Sequence, residues 1–273
     1  MIRIQSFPYK ISLILIFYGF ALPSQAQFKM GARGLATGNA TTAIPNYSWA
    51  LFSNPALINN EEISIGFYGL RNYGFSELTD MSALGSIPTK YGTAALGFHR
   101  YGDHLFNETR VRLGYKNKWK QLYFGVVANY NNISFGANYG SGNALGIDIG
   151  LAAEITPNLW FGASSVNINR PEYEGIDEDL PRELSIGLAY KLNKIALFSF
   201  DVVKDVRYPV SYRGGMDVKV IQNLRGRVGI TTHPLTYSFG FGYGMKRWEV
   251  NVAVQKHELL GFSPGLDFMI FIP

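Results

Sequence analysis

Cysteine is absent from the 273 residues, and charged residues make up only 16% of them. A soluble domain averages about 25% charge, so the chain is poor in charge for its size. Without cysteine there is no disulfide framework, no zinc-thiolate site and no thiol nucleophile. The formal net charge of +5 is modest, and no run of five basic residues occurs. Nucleic-acid binding would want a clustered basic face, and the sequence has none. Runs of eighteen apolar residues are also missing, which excludes a membrane-spanning helix. What is abundant is glycine (30), phenylalanine (19) and tyrosine (17), a composition that favours strands and turns over helices. Mean hydropathy near zero, +0.01, excludes long disorder.

The first 26 residues read as a secretory signal. Arg3 and Lys10 give the positive start, Ile11 to Leu22 the apolar stretch, and Ser24-Gln25-Ala26 the small residues that a signal peptidase reads. Twelve apolar residues span roughly 18 Å at 1.5 Å each, too little for a ~30 Å hydrocarbon core. Cleavage after Ala26 is expected. Removing Arg3 and Lys10 takes the formal net charge from +5 to +3 and delivers the chain out of the cytoplasm.

From Ile63 onward the dominant period is two. Leu235, Tyr237, Phe239, Phe241 and Tyr243 alternate with Thr236, Ser238, Gly240 and Gly242. Trp248, Val250, Val252 and Val254 alternate with Glu249, Asn251, Ala253 and Gln255. Each segment has one greasy face and one polar or tiny face, as a strand between lipid and a lumen requires. A soluble sandwich would alternate too, so the connections have to discriminate. Strands are expected near 62–70, 77–87, 91–100, 108–116, 121–130, 143–155, 158–167, 183–191, 195–203, 208–220, 223–231, 235–244, 247–256 and 264–272. Fourteen is an even number, and most segments approach the 9–11 residues of a tilted membrane strand. Connections sort by parity into short turns (around Pro88, Asn117, Pro157, Asn193, Gln222 and Lys246) and longer loops, the longest from Asn167 to Arg182. Trp119, Trp160 and Trp248 fall near the short-turn rim, where an aromatic girdle is expected. The fold class is therefore all-β: a transmembrane antiparallel barrel of about 14 strands over 62–273.

Charges on the polar phase of these strands would face the lumen. They are Arg110, Arg112, Arg213, Arg225 and Arg227 with Asp148, Asp201, Asp217, Glu249 and Asp267. Facing lipid at the midplane, each Arg would cost roughly 2–4 kcal/mol. Inside they can pair, either as a structural network or as the lining of a permeation path.

Residues 27–61 lack sustained alternation. Their small residues with Pro45, Asn46 and Pro55 suggest a compact irregular plug with a helical turn near Trp49. Such backbone is tolerated at membrane depth only when shielded from lipid, so a place inside the lumen is expected.

The stretch Gly31-Ala32-Arg33-Gly34-Leu35-Ala36-Thr37-Gly38-Asn39-Ala40, followed by Trp49-Ala50-Leu51-Phe52-Ser53-Asn54-Pro55-Ala56, resembles the amino-terminal hatch of the FadL-like outer-membrane barrels. More narrowly it is similar to the branch containing PorV and PorQ, which is associated with type IX secretion. The Asn-Pro-Ala step carries most of this resemblance. Two departures stand out: Leu57 replaces the glycine that usually follows, and Pro273 ends a chain where an aromatic residue is usual. The resemblance implies a fourteen-stranded barrel in the bacterial outer membrane, surrounded by outer-membrane lipid. It further implies a hatch of Trp49, Phe52, Asn54, Pro55 and Ala56 past which a small hydrophobic ligand moves. Asn54 is either a gating residue or a turn cap. The alternative implied role is an accessory docking barrel with type IX secretion components as partners.

No catalytic residues, metal site or cofactor emerge. Gly240-Phe241-Gly242-Tyr243-Gly244 lies within a strand with no helix to follow, so it cannot hold a dinucleotide phosphate. His99, His104, His233 and His257 lack metal spacing and are expected as solvated residues of the long-loop rim. The acidic loop Glu172, Glu174, Asp177, Glu178 and Asp179 lacks calcium-loop spacing and is expected to face outward.

Overall fold

The computed structural model describes residues 29–136, 140–176 and 178–273; the expected signal segment lies outside them. Fourteen strands form: β1 (Ile63–Arg71), β2 (Thr79–Thr89), β3 (Gly92–Gly102), β4 (Phe106–Trp119), β5 (Leu122–Phe135), β6 (Ser141–Thr156) and β7 (Leu159–Val166). They continue with β8 (Glu183–Leu192), β9 (Ala196–Asp205), β10 (Ser211–Lys219), β11 (Leu224–Thr232), β12 (Leu235–Gly244), β13 (Trp248–His257) and β14 (Gly261–Ile272). Each pairs antiparallel with the next, and β14 returns to β1 in register from Ile63↔Ile272 to Leu70↔Gly265. The sheet is closed, so no strand edge is left to satisfy in lipid.

The wall obeys the expected period. Along β12, Phe239 and Phe241 stand exposed while Ser238 is fully buried beside them. Leu96, Leu113, Leu151 and Leu266 continue the exposed apolar band around the barrel. A water-soluble protein would not expose so continuous an apolar surface; a barrel crossing a membrane with strands requires it. Among the described residues no helix is long and apolar enough to cross.

The loop contrast is less regular than expected. One rim has only tight links, such as 90–91, 120–121 and 157–158. On the other, 72–78 and 167–182 are long, yet His233 and Pro234 alone join β11 to β12. Only part of that rim carries extended loops. The tryptophan girdle also needs correction: Trp119 is exposed, but Trp160 is buried inside the barrel, its ring 5.1 Å from that of Tyr123. Trp160 belongs to the inward phase of β7, shared with Gly162 and Ser164.

Strands β4, β5 and β6 are longer than a membrane crossing needs. Pairing of β6 with β7 begins only at Ile149, whereas its pairing with β5 extends to Ser141. The projecting edge of β6 is covered by loop 167–182. The Ile168 N–H donates to the Ile147 carbonyl at 2.8 Å, and the Glu174 N–H to the Asn143 carbonyl at 2.9 Å. Asn169 completes the cover by accepting from the Ile147 N–H and donating to the Leu145 carbonyl.

Residues 29–62, which precede β1, lie within the barrel. They hold helix α1 (Ala32–Ala36) and two single 3-10 turns, Ala50–Phe52 and Pro55–Leu57. Helix α1 packs against β11–β14, and the Pro55–Leu57 turn against β4–β6 on the opposite wall. One segment can touch both walls only from inside.

Candidate functional site

The lumen is filled by this segment. Met30, Leu35, Ile44, Tyr47, Trp49, Leu51, Phe52, Leu57 and Ile58 are all at most 2% exposed. Trp49 packs its ring 5.6 Å from Tyr68 on β1 and 6.0 Å from Phe52. The Arg112 guanidinium lies over the Phe52 ring at 5.1 Å, a cation–π contact in a desolvated place.

Asn54 does more than cap a turn. Its Oδ1 accepts from the Ala56 N–H at 3.1 Å, which starts the turn beginning at Pro55. Its Nδ2 also donates to the Thr42 carbonyl at 2.7 Å and to the Leu151 carbonyl of β6 at 3.0 Å. One fully buried amide thus ties two parts of the hatch to each other and to the wall. Pro55 and Ala56 lie against Gly125 and Gly150, where a Cβ would come within 3 Å of hatch backbone or ring atoms.

This close approach recurs around the circumference. A Cβ at Gly162, Gly215 or Gly229 would meet the backbone of Thr42, Thr37 or Gly38 within 3 Å. Gly240 and Gly265 leave the same room for Ala36 and Leu35, and Gly97 for Leu51 and Phe52. These glycines sit on the inward phase of their strands. Together they form a belt that lets hatch backbone reach the wall, a close approach that only a missing Cβ permits.

The ten charges expected to face the lumen fall into separate groups, with Arg225 and Glu249 partly exposed at the short-turn rim. Arg112 and Asp148 are paired and buried, and Asp148 Oδ1 accepts the Asn167 N–H. Asp201 pairs with Lys29 at 3.1 Å and accepts from the Thr42 hydroxyl at 2.7 Å. Asp217 is flanked by Arg33, Arg225 and Arg227, and Arg227 reaches Glu249 at 3.4 Å. Asp267 accepts from Asn251 at 2.7 Å and from the Ala32 N–H at 2.6 Å. Arg213 faces Glu183 at 3.6 Å, and Arg110 donates to Glu108 at 2.6 Å. Lys29 and Arg33 were not among the expected charges, although both lie in the hatch where a wall carboxylate could seek a partner. Glu108 and Glu183 were missed because they sit at strand ends, where phase is hard to read.

His99 is a correction. It is 2% exposed, and its Nε2 lies 2.7 Å from Asp80 Oδ1 on the neighbouring strand. Only His104, His233 and His257 belong to the solvated rim. Among the described residues, no three His, Asp or Glu side chains are placed to hold a metal.

At the long-loop rim, loop 167–182 folds Tyr173, Ile176 and Leu180 onto Phe106, Ile133, Phe135 and Ala144 of the projecting strands. The Phe106 and Phe135 rings are 5.5 Å apart. Tyr173 directs its hydroxyl to Glu108 at 3.4 Å, and burial pushes its phenol pKa up. Glu172, Glu174, Glu178 and Asp179 of this loop are exposed, and Asp177 lies outside the described residues.

No family model and no curated protein matches the chain. Solved structures do. The CymD monoaromatic hydrocarbon channel superposes with a TM-score of 0.68 at 11% identity, over 91% of this chain and 99% of the other. The toluene transporter TodX of P. putida gives 0.65 at 13% identity, over 90% and 99%. A Pseudomonas aeruginosa FadL homologue gives 0.56 at 12%, over 89% and 98%. At such identities the likeness establishes a FadL-like fold.

Proposed function

We propose that this chain is a non-enzymatic outer-membrane barrel that binds a small apolar or amphipathic molecule at its outer mouth and admits it past the hatch. The observation that carries the reading is the apolar cluster under loop 167–182, set on strands that project beyond the membrane crossing. Aromatic and aliphatic side chains converge there beside one polar handle, the Tyr173–Glu108 pair, which suits an apolar ligand with a polar end. The shared fold with channels described as carrying monoaromatic hydrocarbons supports the same class of ligand. Trp49, Phe52, Asn54, Pro55 and Ala56 would act as the gate, and passage would require the hatch to shift.

The test is fluorescence titration of the detergent-purified chain with an apolar dye, together with mass spectrometry of extracted ligands. Phe135→Ala with Ile176→Ala should weaken dye binding about fivefold or more, because the dye would bury less apolar surface against the truncated side chains. Dye binding that ignores the double substitution would remove this site. Delivery by a signal cleaved after Ala26 belongs to the same reading, and sequencing of the mature amino terminus should begin at Gln27.

A second reading is favoured by the filled lumen: a docking barrel of the PorV/PorQ kind, serving type IX secretion without conducting anything. Co-purification of secretion components with an empty mouth would favour it over transport.

A further inference from the structure

The short-turn rim holds a cleft of about 490 Å3, opposite to the mouth discussed above. Its floor includes Arg33 and Pro45 of the hatch. Its sides are the ends of β8 to β13 and the turns at 193–195 and 220–223. Six cations line it: Arg33, Lys191, Lys194, Lys219, Arg225 and Arg227. Against them stand Glu249 in the lining and Asp217 behind, already flanked by three arginines. Among the described residues no ion pair or side-chain hydrogen bond engages Lys194 or Lys219, and both are exposed. Arg33 Nε is ion-paired with Asp217 Oδ2 at 3.2 Å. The cleft therefore carries more positive charge than its own carboxylates neutralise, and concave low-dielectric walls focus that excess.

We propose that this cleft is a binding site for an oxyanion, a phosphate or carboxylate group of a small molecule reaching the barrel from the short-turn side. The Arg227 guanidinium is already bonded to Asp217, Asn251 and Glu249, so the exposed ammonium groups of Lys194 and Lys219 are the donors for either group, and the volume admits a small organic anion. The hatch seals the floor, so the site is reached from this rim and stands independently of the outer-mouth reading. A second cleft on the same rim, lined by Lys90, Lys116, Lys118 and Lys120, is the weaker candidate. It has no arginine, and its Lys116 already donates to the Ile58 carbonyl and to Asn60. That makes it a useful control.

The test is isothermal titration of the full chain, in neutral detergent at low salt, with inorganic pyrophosphate and separately with hexanoate. Saturable binding of at least one probe is expected. Lys194→Gln with Lys219→Gln should weaken it roughly five- to tenfold, while Lys118→Gln with Lys120→Gln leaves it unchanged. Pyrophosphate alone would identify a phosphoryl ligand; competitive hexanoate would identify the carboxylate of an apolar acid. The proposal is overturned if neither probe saturates, if the Lys194/Lys219 variant binds like the parent, or if both double variants lose binding equally. All four lysine substitutions are at exposed or rim positions, so folding should survive, and heat-modifiable gel mobility verifies it.

Discussion

Asn54 Nδ2 donates to the Leu151 carbonyl at 3.0 Å, a hydrogen bond between a hatch side chain and the backbone of the barrel wall. The same nitrogen donates to Thr42, and the same side chain caps the following turn. The Asn-Pro-Ala step is thus an anchoring point as well as a turn. Asn54→Ala should leave the Thr42 and Leu151 carbonyls without this donor in a dry place, at about 1–3 kcal/mol for each. Hydrogen exchange of residues 50–58 should accelerate accordingly. Asn54→Ser keeps a capping oxygen but is too short to reach β6, and it should not restore protection. Full protection in the serine variant would reduce Asn54 to a turn cap.

The glycine belt makes a steric prediction. At Gly125 an added Cβ would sit 2.7 Å from the Ala56 nitrogen, with backbone rather than a flexible side chain in the way. Gly125→Ala should cost about 1–3 kcal/mol through overpacking, read as a lower temperature for the gel-mobility shift. Gly69, on β1, has nothing within 4 Å of the same added atom. Gly69→Ala should be neutral or slightly stabilising. Equal behaviour of the two would mean that the hatch does not press on the wall.

Alternation revealed the strands because lipid and lumen impose opposite demands on successive residues. It faltered at β2, where Asp80 and Ser82 are inward and Met81 and Ala83 outward, a weak contrast. The pattern is further blurred because Tyr68, Leu70 and Leu84 point inward onto the apolar hatch core. An interior that is greasy on one side cannot be recognised from polarity. The pairings were less legible than the phases: Asp201 meets Lys29 across 172 positions of sequence, and no local spacing encodes that. Inward glycines were visible only as tiny residues, since their purpose depends on hatch backbone arriving from elsewhere.

The Arg112–Asp148 pair should behave as a buried ion pair. Asp148→Asn leaves the Arg112 charge uncompensated against the Phe52 ring, and should cost about 3–5 kcal/mol. Arg112→Met with Asp148→Leu removes both charges and should be less destabilising than Asp148→Asn alone. Denaturant unfolding of the variants would expose the coupling. Additive losses would mean that the two side chains do not depend on each other.

Asp103, in the link between β3 and β4, accepts the Phe106 N–H at 3.1 Å and the Leu105 N–H at 2.8 Å. These backbone donors, Phe106 first, hold its carboxyl below the ordinary 3.8. A depressed folded value means that the turn gains stability above pH 3.8, lost as pH falls through the folded midpoint. Carbon-detected NMR of the Asp103 carboxyl should give a midpoint below 3.8. A midpoint at or above it would indicate that the turn is not formed in solution.

The seal itself can be measured. The hatch core residues are at most 2% exposed, and they meet the wall on β3–β6 and on β11–β14. Among the described residues the hatch core is packed against both walls, and ions cannot pass dry packed protein without a large desolvation cost. The parent chain in planar bilayers should therefore be electrically silent. Asn54→Ala with Asp201→Asn cuts two ties of the hatch, one to β6 and one between Lys29, Thr42 and β9. That variant should show intermittent openings while retaining the heat-modifiable shift of a folded barrel. Steady conductance in the parent would refute the seal. A silent but folded double variant would show that the glycine-belt packing alone closes the barrel, placing any ligand route elsewhere than through its centre.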